Sequence, residues 1–261
     1  MKFRPCIDIH NGKVKQIVGG SLKDAGDTAR ENFVSEQDAS FYAALYRERG
    51  LNGGHVILLN GSSSPYYEAS REQAFSALRT YPYGLQLGGG VRPENAEEYL
   101  DGGASHLIVT SYVFKDGKIS WENLDKIEKT VGREHLVLDL SCRKKDGQYY
   151  IVTDRWQKFT EVPVSIKVME ELGAHCDEFL VHAVDVEGKA NGIETELVSL
   201  LAQYTLQPIT YAGGVGSMED IALLDRYGEG RLDVTVGSAL DIFGGTISFE
   251  KLVRTLQAVR E

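Results

Sequence analysis

The sequence predicts an α/β protein, a single-domain (β/α)8 TIM barrel built from two copies of a half-barrel. Three observations carry that expectation. Eight short apolar runs alternate with eight amphipathic runs. Four motif pairs recur at an offset close to half of the 261 residues. No low-complexity tract or Pro/Ser-rich linker divides the chain. In the repeat, Cys6-Ile7-Asp8-Ile9 is answered by Val137-Leu138-Asp139-Leu140, and Asn60-Gly61-Ser62 by Glu187-Gly188-Lys189. Gly89-Gly90-Val91 is answered by Gly213-Gly214-Val215, and Val109-Thr110-Ser111 by Val236-Gly237-Ser238. The halves are then residues 1–131 and 132–261. A doubly wound open sheet is the competing architecture, and the half-length repeat favours closure.

In chain order, the strands are expected at 3–9, 55–59, 85–87, 106–111, 136–140, 178–184, 209–212 and 234–236. Most are short and continuously apolar, as parallel strands buried on both faces require. The helices are expected at 39–48, 68–78, 93–100, 121–130, 164–172, 194–202, 218–226 and 249–259, where the pattern is amphipathic. Pro93 suits a first helical turn. Ser217 and Asp220 have the spacing of a capping box. Two polar segments, 19–37 and 141–162, exceed the minimal unit and are expected as long loops after strands one and five. Both fall on the C-terminal face, where barrel active sites sit.

Composition bounds the function. Hydrophobic residues make up 42% and charged residues 25% of the chain, as in globular proteins. A net charge of −10 argues against nucleic acid or an anionic membrane as partner. It leaves anionic small molecules open, because backbone N–H groups bind phosphate locally. Cys6, Cys142 and Cys176 form no C-x-x-C motif, so no disulfide framework and no metal site is expected. With no signal or transit pattern and no long apolar run, a cytoplasmic protein is expected, and a monomer, since no apolar surface stripe stands out.

The chemistry centres on two carboxylates. Asp8 and Asp139 lie near the C-terminal ends of apolar strands, where burying a carboxylate without use is costly. Their matched positions point to paired acid/base work. Gly88-Gly89-Gly90-Val91-Arg92-Pro93 follows a strand and opens a helix, and Gly213-Gly214-Val215-Gly216-Ser217 does the same in the second half. Glycines admit close backbone approach to phosphate, and a helix start offers free N–H groups. Each loop is followed one strand later by Thr110-Ser111 or Gly237-Ser238. Two anion sites of this kind, with Gly188 as a further candidate, imply a substrate with two phosphates. His55 and His182 lack metal-binding spacing; His182, on the sixth strand, is a candidate substrate contact. Trp156 is a candidate stacking partner for a heterocycle. No expected strand carries a lysine, which argues against Schiff-base catalysis by the protein.

With these motifs the chain resembles the eukaryotic-type isomerases of histidine biosynthesis that act on ProFAR, an aminoimidazole carboxamide ribotide. The resemblance rests on Arg4-Pro-Cys-Ile-Asp-Ile-His-Asn-Gly-Lys13, Leu87-Gly-Gly-Gly-Val-Arg-Pro93 and Val137-Leu-Asp-Leu-Ser-Cys-Arg143. His182-Ala-Val-Asp-Val-Glu-Gly188, Tyr211-Ala-Gly-Gly-Val215 and Val236-Gly-Ser238 complete it, so it spans nearly the whole chain. It implies an Amadori rearrangement of an aminoaldose to an aminoketose, with no cofactor. It implies Asp139 as the general acid opening the ribose ring and Asp8 as the general base at C2′. An acid role calls for a raised pKa at Asp139. The family's bacterial members usually carry Arg at the place of Gln16 and Thr at the place of His182. Gln16, Arg143, Trp156 and His182 are therefore candidate substrate contacts whose roles stay open. The sister cyclase of imidazole glycerol phosphate synthase shares the duplicated barrel, but carries lysine where Gln16 stands. Strand alternation turns the neighbouring Lys15 to the other face. A non-catalytic bisphosphate-binding barrel and a dual isomerase also acting on phosphoribosylanthranilate are the remaining alternatives.

Overall fold

The computed structural model describes residues 1–22 and 26–258. Eight parallel strands form the barrel wall: β1 (Cys6–His10), β2 (Gly54–Leu58), β3 (Leu85–Gly88), β4 (Leu107–Val109), β5 (Leu136–Asp139), β6 (Glu178–His182), β7 (Ile209–Ala212) and β8 (Asp233–Thr235). Neighbours in sequence pair in parallel from β1 to β8. The seam closes before β1: Phe3 bridges Val234, with Arg4 N donating to Val234 O at 2.8 Å and Val234 N to Lys2 O at 2.9 Å. The first strand was expected to run unbroken from 3; Pro5 has no N–H to give the ladder and separates the bridge from β1.

The helices are α1 (Ala39–Glu48), α2 (Tyr67–Thr80), α3 (Pro93–Asp101), α4 (Trp121–Val131), α5 (Ile166–Gly173), α6 (Thr195–Leu201), α7 (Met218–Tyr227) and α8 (Phe249–Ala258). Each expected helix is present within two residues at either end, except that Val259 lies outside the described residues. The Ser217–Asp220 capping box forms, with Asp220 N donating to Ser217 Oγ at 3.2 Å and Ser217 N to Asp220 Oδ2 at 2.9 Å. Among the described residues no helix is long and apolar enough to cross a membrane.

Inside the barrel, alternation stacks the side chains in layers. At the N-terminal end, Arg4 pairs with Asp233 at 2.9 Å and Glu178 at 3.4 Å, and Glu178 also accepts from Gln86 and Thr210. Every buried polar atom in that plug has a partner, so its burial is tolerated. Above it lies a small apolar layer of Ile108, Val137, Leu180 and Ala212 with Ile57 against it. One residue pair further along the strands, the inward positions become Asp8, Asp139 and His182. The large apolar cluster between barrel and helices fixes the wall that holds them.

The second long segment is not a loop but a sheet, and the first ends in a strand, Glu31–Val34. Lys13–Ile17 pairs antiparallel with β1 and with Glu31–Val34. Cys142–Lys145, Gln148–Thr153 and Lys158–Pro163 form a three-stranded sheet. A further small hairpin joins Phe114–Lys115 to Lys118–Ile119. All three excursions turn on one sequence device. Asn11-Gly12, Asp116-Gly117 and Asp146-Gly147 each have two consecutive residues at positive φ, between 50° and 81°. That is the two-residue hairpin turn whose twist matches the strands. These dipeptides were the available signal for strands in segments whose polar composition suggested loops.

Candidate active site

A cavity of about 600 Å³ opens at the C-terminal end of the barrel, lined by Asp8, Asp139, Gly89, Gly90, Thr110, Ser111, Trp156 and His182 among others. A narrower recess, which shares Asp8, His182 and Glu187 with it, runs to Gly188, Gly213, Gly214, Gly237 and Ser238. Fourteen of the fifteen expected site residues thus lie around one connected space, Gln16 lining the recess. Arg143 does not. Its guanidinium donates to Asp185 at 2.8 Å and lies over the Phe159 ring, on the outer side of the added sheet. Strand pairing sets this: Arg143 follows the buried Cys142, so alternation turns it away from the barrel.

The glycine loops are built alike. Gly89 has φ +101° and a Cβ there would stand 2.1 Å from Leu58 O; Gly213 has φ +116° and its Cβ would stand 2.8 Å from Ala183 O. Only glycine fits such a turn against the preceding strand. The helix starts behind them are capped from within. Arg92 N donates to Asn95 Oδ1 at 2.8 Å, and Gly216 N and Ser217 N both donate to Asp220 Oδ2 at 2.9 Å. The anion-binding capacity therefore shifts to the loop itself: the N–H groups of Gly90, Val91, Gly214, Val215 and Ser238 donate to no described residue. At Gly237 an added Cβ would stand 2.3 Å from Gln16 Oε1, so a side chain there displaces the Gln16 amide.

Alternation separates Lys15 from Gln16 as expected. Lys15 pairs with Glu31, while Gln16 Nε2 reaches Asp8 Oδ2 at 3.4 Å. Burial and the nearby Glu187 push the Asp8 carboxyl up to about 7, against the opposing pull of His182 and Gln16. Asp139 is different. Ser141 N donates to its Oδ1 at 2.8 Å, Ser141 Oγ to the same atom at 2.7 Å, and Thr110 Oγ1 to Oδ2 at 3.1 Å. His182 Nδ1 stands 3.6 Å from Oδ1. Burial alone raises this carboxyl, but His182 and Ser141 outweigh it and hold Asp139 below its ordinary range. The raised pKa expected of an acid at Asp139 is thus met by the opposite direction, because its donors favour the ionised form.

His182 carries the complementary charge. Burial lowers its basicity, but Asp139, Glu187 and Asp8 together raise its pKa to about 9. His55, whose ring centre is 6.0 Å away, is driven down to about 3 by burial and by His182, so it stays neutral. Trp156 lies 5.6 Å from the His182 ring, centre to centre. It ends a run of three left-handed residues, Asp154, Arg155 and Trp156, with φ between 54° and 66°. Each costs about 1 kcal/mol or more, and that turn brings Arg155 and Trp156 to the cavity. The two excursions meet there: Gln157 Nε2 donates to Leu22 O at 2.8 Å.

Sequence reasoning missed Glu187, Arg155 and Arg92 as cavity residues. Glu187 stood in plain view beside Gly188, in a motif already matched to Asn60. Among the described residues no three His, Cys, Asp or Glu side chains converge as a metal site requires.

The model of the family described as histidine biosynthesis protein matches residues 2–248. The chain belongs to that family. It is similar to the chloroplastic isomerase of Medicago truncatula, 53% identical over 257 residues, covering 97% of this chain and 81% of the relative. It is 45% identical to the isomerase of Yarrowia lipolytica, covering 94% and 93%, and 42% identical to that of Saccharomyces cerevisiae, covering 97% of each. All three are named for one reaction, the isomerisation of an imidazole-4-carboxamide that carries two phosphoribosyl groups.

Proposed function

We propose that this chain isomerises ProFAR, the aminoaldose with two ribose phosphates, to its aminoketose in histidine biosynthesis. One observation carries the reading. Two loops with free backbone N–H groups, on β3/β4 and β7/β8, flank a single space that holds Asp8, Asp139 and His182. Four strands separate the loops on an eight-stranded barrel, so the phosphates bind on opposite sides and the reacting ribose lies between them. Asp8, at a pKa of about 7, serves as the base at C2′. The role that the family resemblance gives Asp139 is that of the general acid opening the ribose ring. Gln16 on Asp8, with Lys15 engaged elsewhere, favours the isomerase over the cyclase. We take residues 1–131 and 132–261 as the two repeats, one chain as the active unit, and the cytosol as its compartment. The chloroplastic name of the plant relative makes a plastid the alternative, which a fluorescent fusion decides.

The test is an NMR time course of the purified protein with ProFAR and no ammonia. Conversion to the open-chain ketose, lost in Asp8→Asn, is the expected result. Cyclisation only when ketose and ammonia are supplied reassigns the chain to the cyclase. Tight binding without reaction leaves a bisphosphate-binding barrel.

A further inference from the structure

Asp139 is poorly placed to give up a proton. It accepts three hydrogen bonds, from Ser141 N, Ser141 Oγ and Thr110 Oγ1, and each of them favours the carboxylate. Its neighbour is better placed. His182 ends β6 at the floor of the cavity and lines both the main space and the recess. Its Nδ1 lies 3.2 Å from Ser141 Oγ and 3.6 Å from Asp139 Oδ1. With Ser141 Oγ donating to Asp139, that hydroxyl is left to accept from Nδ1–H. This fixes the ring by one edge. Nε2 makes no hydrogen bond to any described residue, and Trp156 covers the ring.

We infer that the proton which opens the ribose ring comes from His182 Nε2, with Asp139 as the ionised partner that orients the imidazolium. The inference rests on the isomerase reading and deepens it. The protons balance. His182 Nε2–H protonates the ring oxygen O4′ as the C1′–O4′ bond breaks, and the amine lone pair forms the C1′=N bond. Asp8 removes the C2′ proton, and those electrons form the C1′=C2′ enolamine. Asp8 then returns its proton to C1′, while His182 takes the proton of the 2′-hydroxyl as that carbon becomes a ketone. Both groups end as they began, and O4′ keeps the first proton as a hydroxyl.

The surroundings are consistent with this assignment. The groups facing His182 are Asp139 and Ser141 from β5 and the turn after it, Asp8 from β1, Glu187 from the loop after β6, and His55 from β2. Three are carboxyls that hold the imidazolium charged, and the fourth titratable group, His55, is neutral. The active form needs Asp8 ionised and His182 protonated, which selects the window from about 7 to about 9.

The experiment combines steady-state kinetics on ProFAR with NMR of the full chain carrying isotope-labelled histidine. In the parent protein one imidazole is expected to titrate near 9, and kcat to fall through the same value. His182→Gln is expected to lose about a hundredfold or more in kcat while product Kd changes less than about threefold. Asp139→Asn removes the counter-ion, so the imidazole pKa and the alkaline limb of its residual activity are expected to fall together. His182→Gln with kcat within about threefold of the parent and an unmoved alkaline limb overturns the inference. So does an Asp139→Asn chain whose imidazole pKa falls while the limb stays. If His182→Gln does not fold, the Asp139→Asn comparison decides alone. Failure of the parent chain to convert ProFAR would sink the isomerase reading instead.

Discussion

The two halves of the barrel present the same carboxylate to the same cavity and give it opposite character. Asp8 lies in register with Ile57, and Asp139 with Leu180. Two residues further on, the inward neighbours are Leu59 in the first half and His182 in the second. Asp8 therefore takes a hydrogen bond from one side chain only, the Gln16 amide at 3.4 Å, and has the Glu187 carboxyl nearby. Asp139 faces an imidazole and three donors. Burial acts on both, and what differs is compensation. Asp8 is pushed up to about 7, while Asp139 stays low. Two carboxylates at like positions on β1 and β5 thus differ in character through the side chains around each.

The largest expected effect removes either carboxylate. Asp8→Asn and Asp139→Asn should each lower kcat by about a hundredfold or more, with product binding by calorimetry largely retained. Near-normal turnover in one of them would mean that the halves are not both catalytic. Next in size is the glycine pair. Gly89→Val and Gly213→Val should each weaken product binding by about tenfold or more, and Gly89→Val should also cost more stability in thermal melts. The reason is its closer backbone neighbour, 2.1 Å against 2.8 Å from the added Cβ. Gly90→Ala, where nothing lies within 4 Å, isolates the cost of positive φ, about 1–2 kcal/mol. Equal penalties at Gly89 and Gly90 would remove the steric argument.

A smaller effect concerns pH. The kcat profile should be bell-shaped, rising as Asp8 ionises near 7 and falling as His182 loses its proton near 9. Stability carries its own sign. His182 has a folded pKa above its unfolded value, so its contribution is complete below about 6.5 and is lost as pH rises through about 9. The melting temperature of the parent relative to His182→Gln should therefore shrink across that window. The smallest expected effect is Gln16→Leu. Its amide lowers the Asp8 pKa, so removing it should move the acidic limb of the profile upward. A downward move would show that Gln16 does not stabilise the carboxylate.

Much of this architecture was legible in the chain. The eight helices could be read because their apolar faces repeat with the helical period, and the glycine loops because positive φ demands glycine. Both carboxylates stood out as charges inside apolar strands. The added sheets were less visible, since their strands are polar on one side and the Asn-Gly and Asp-Gly turns were the only sharp signal. Arg143 was misplaced for a related reason: without the Cys142–Lys145 strand its direction has no reference.

By itself, then, the sequence determined the barrel and the placing of Asp8, Asp139 and the glycine turns, because each follows from local periodicity or backbone restriction. Tertiary structure alone decided the electrostatic character of each carboxylate. Asp139 meets His182, forty-three positions away, across the β5–β6 pair, and Asp8 meets Glu187 across the barrel mouth. A pKa answers to the charges and donors within a few ångströms, and strand alternation fixes which face a side chain takes without naming the neighbours it finds there.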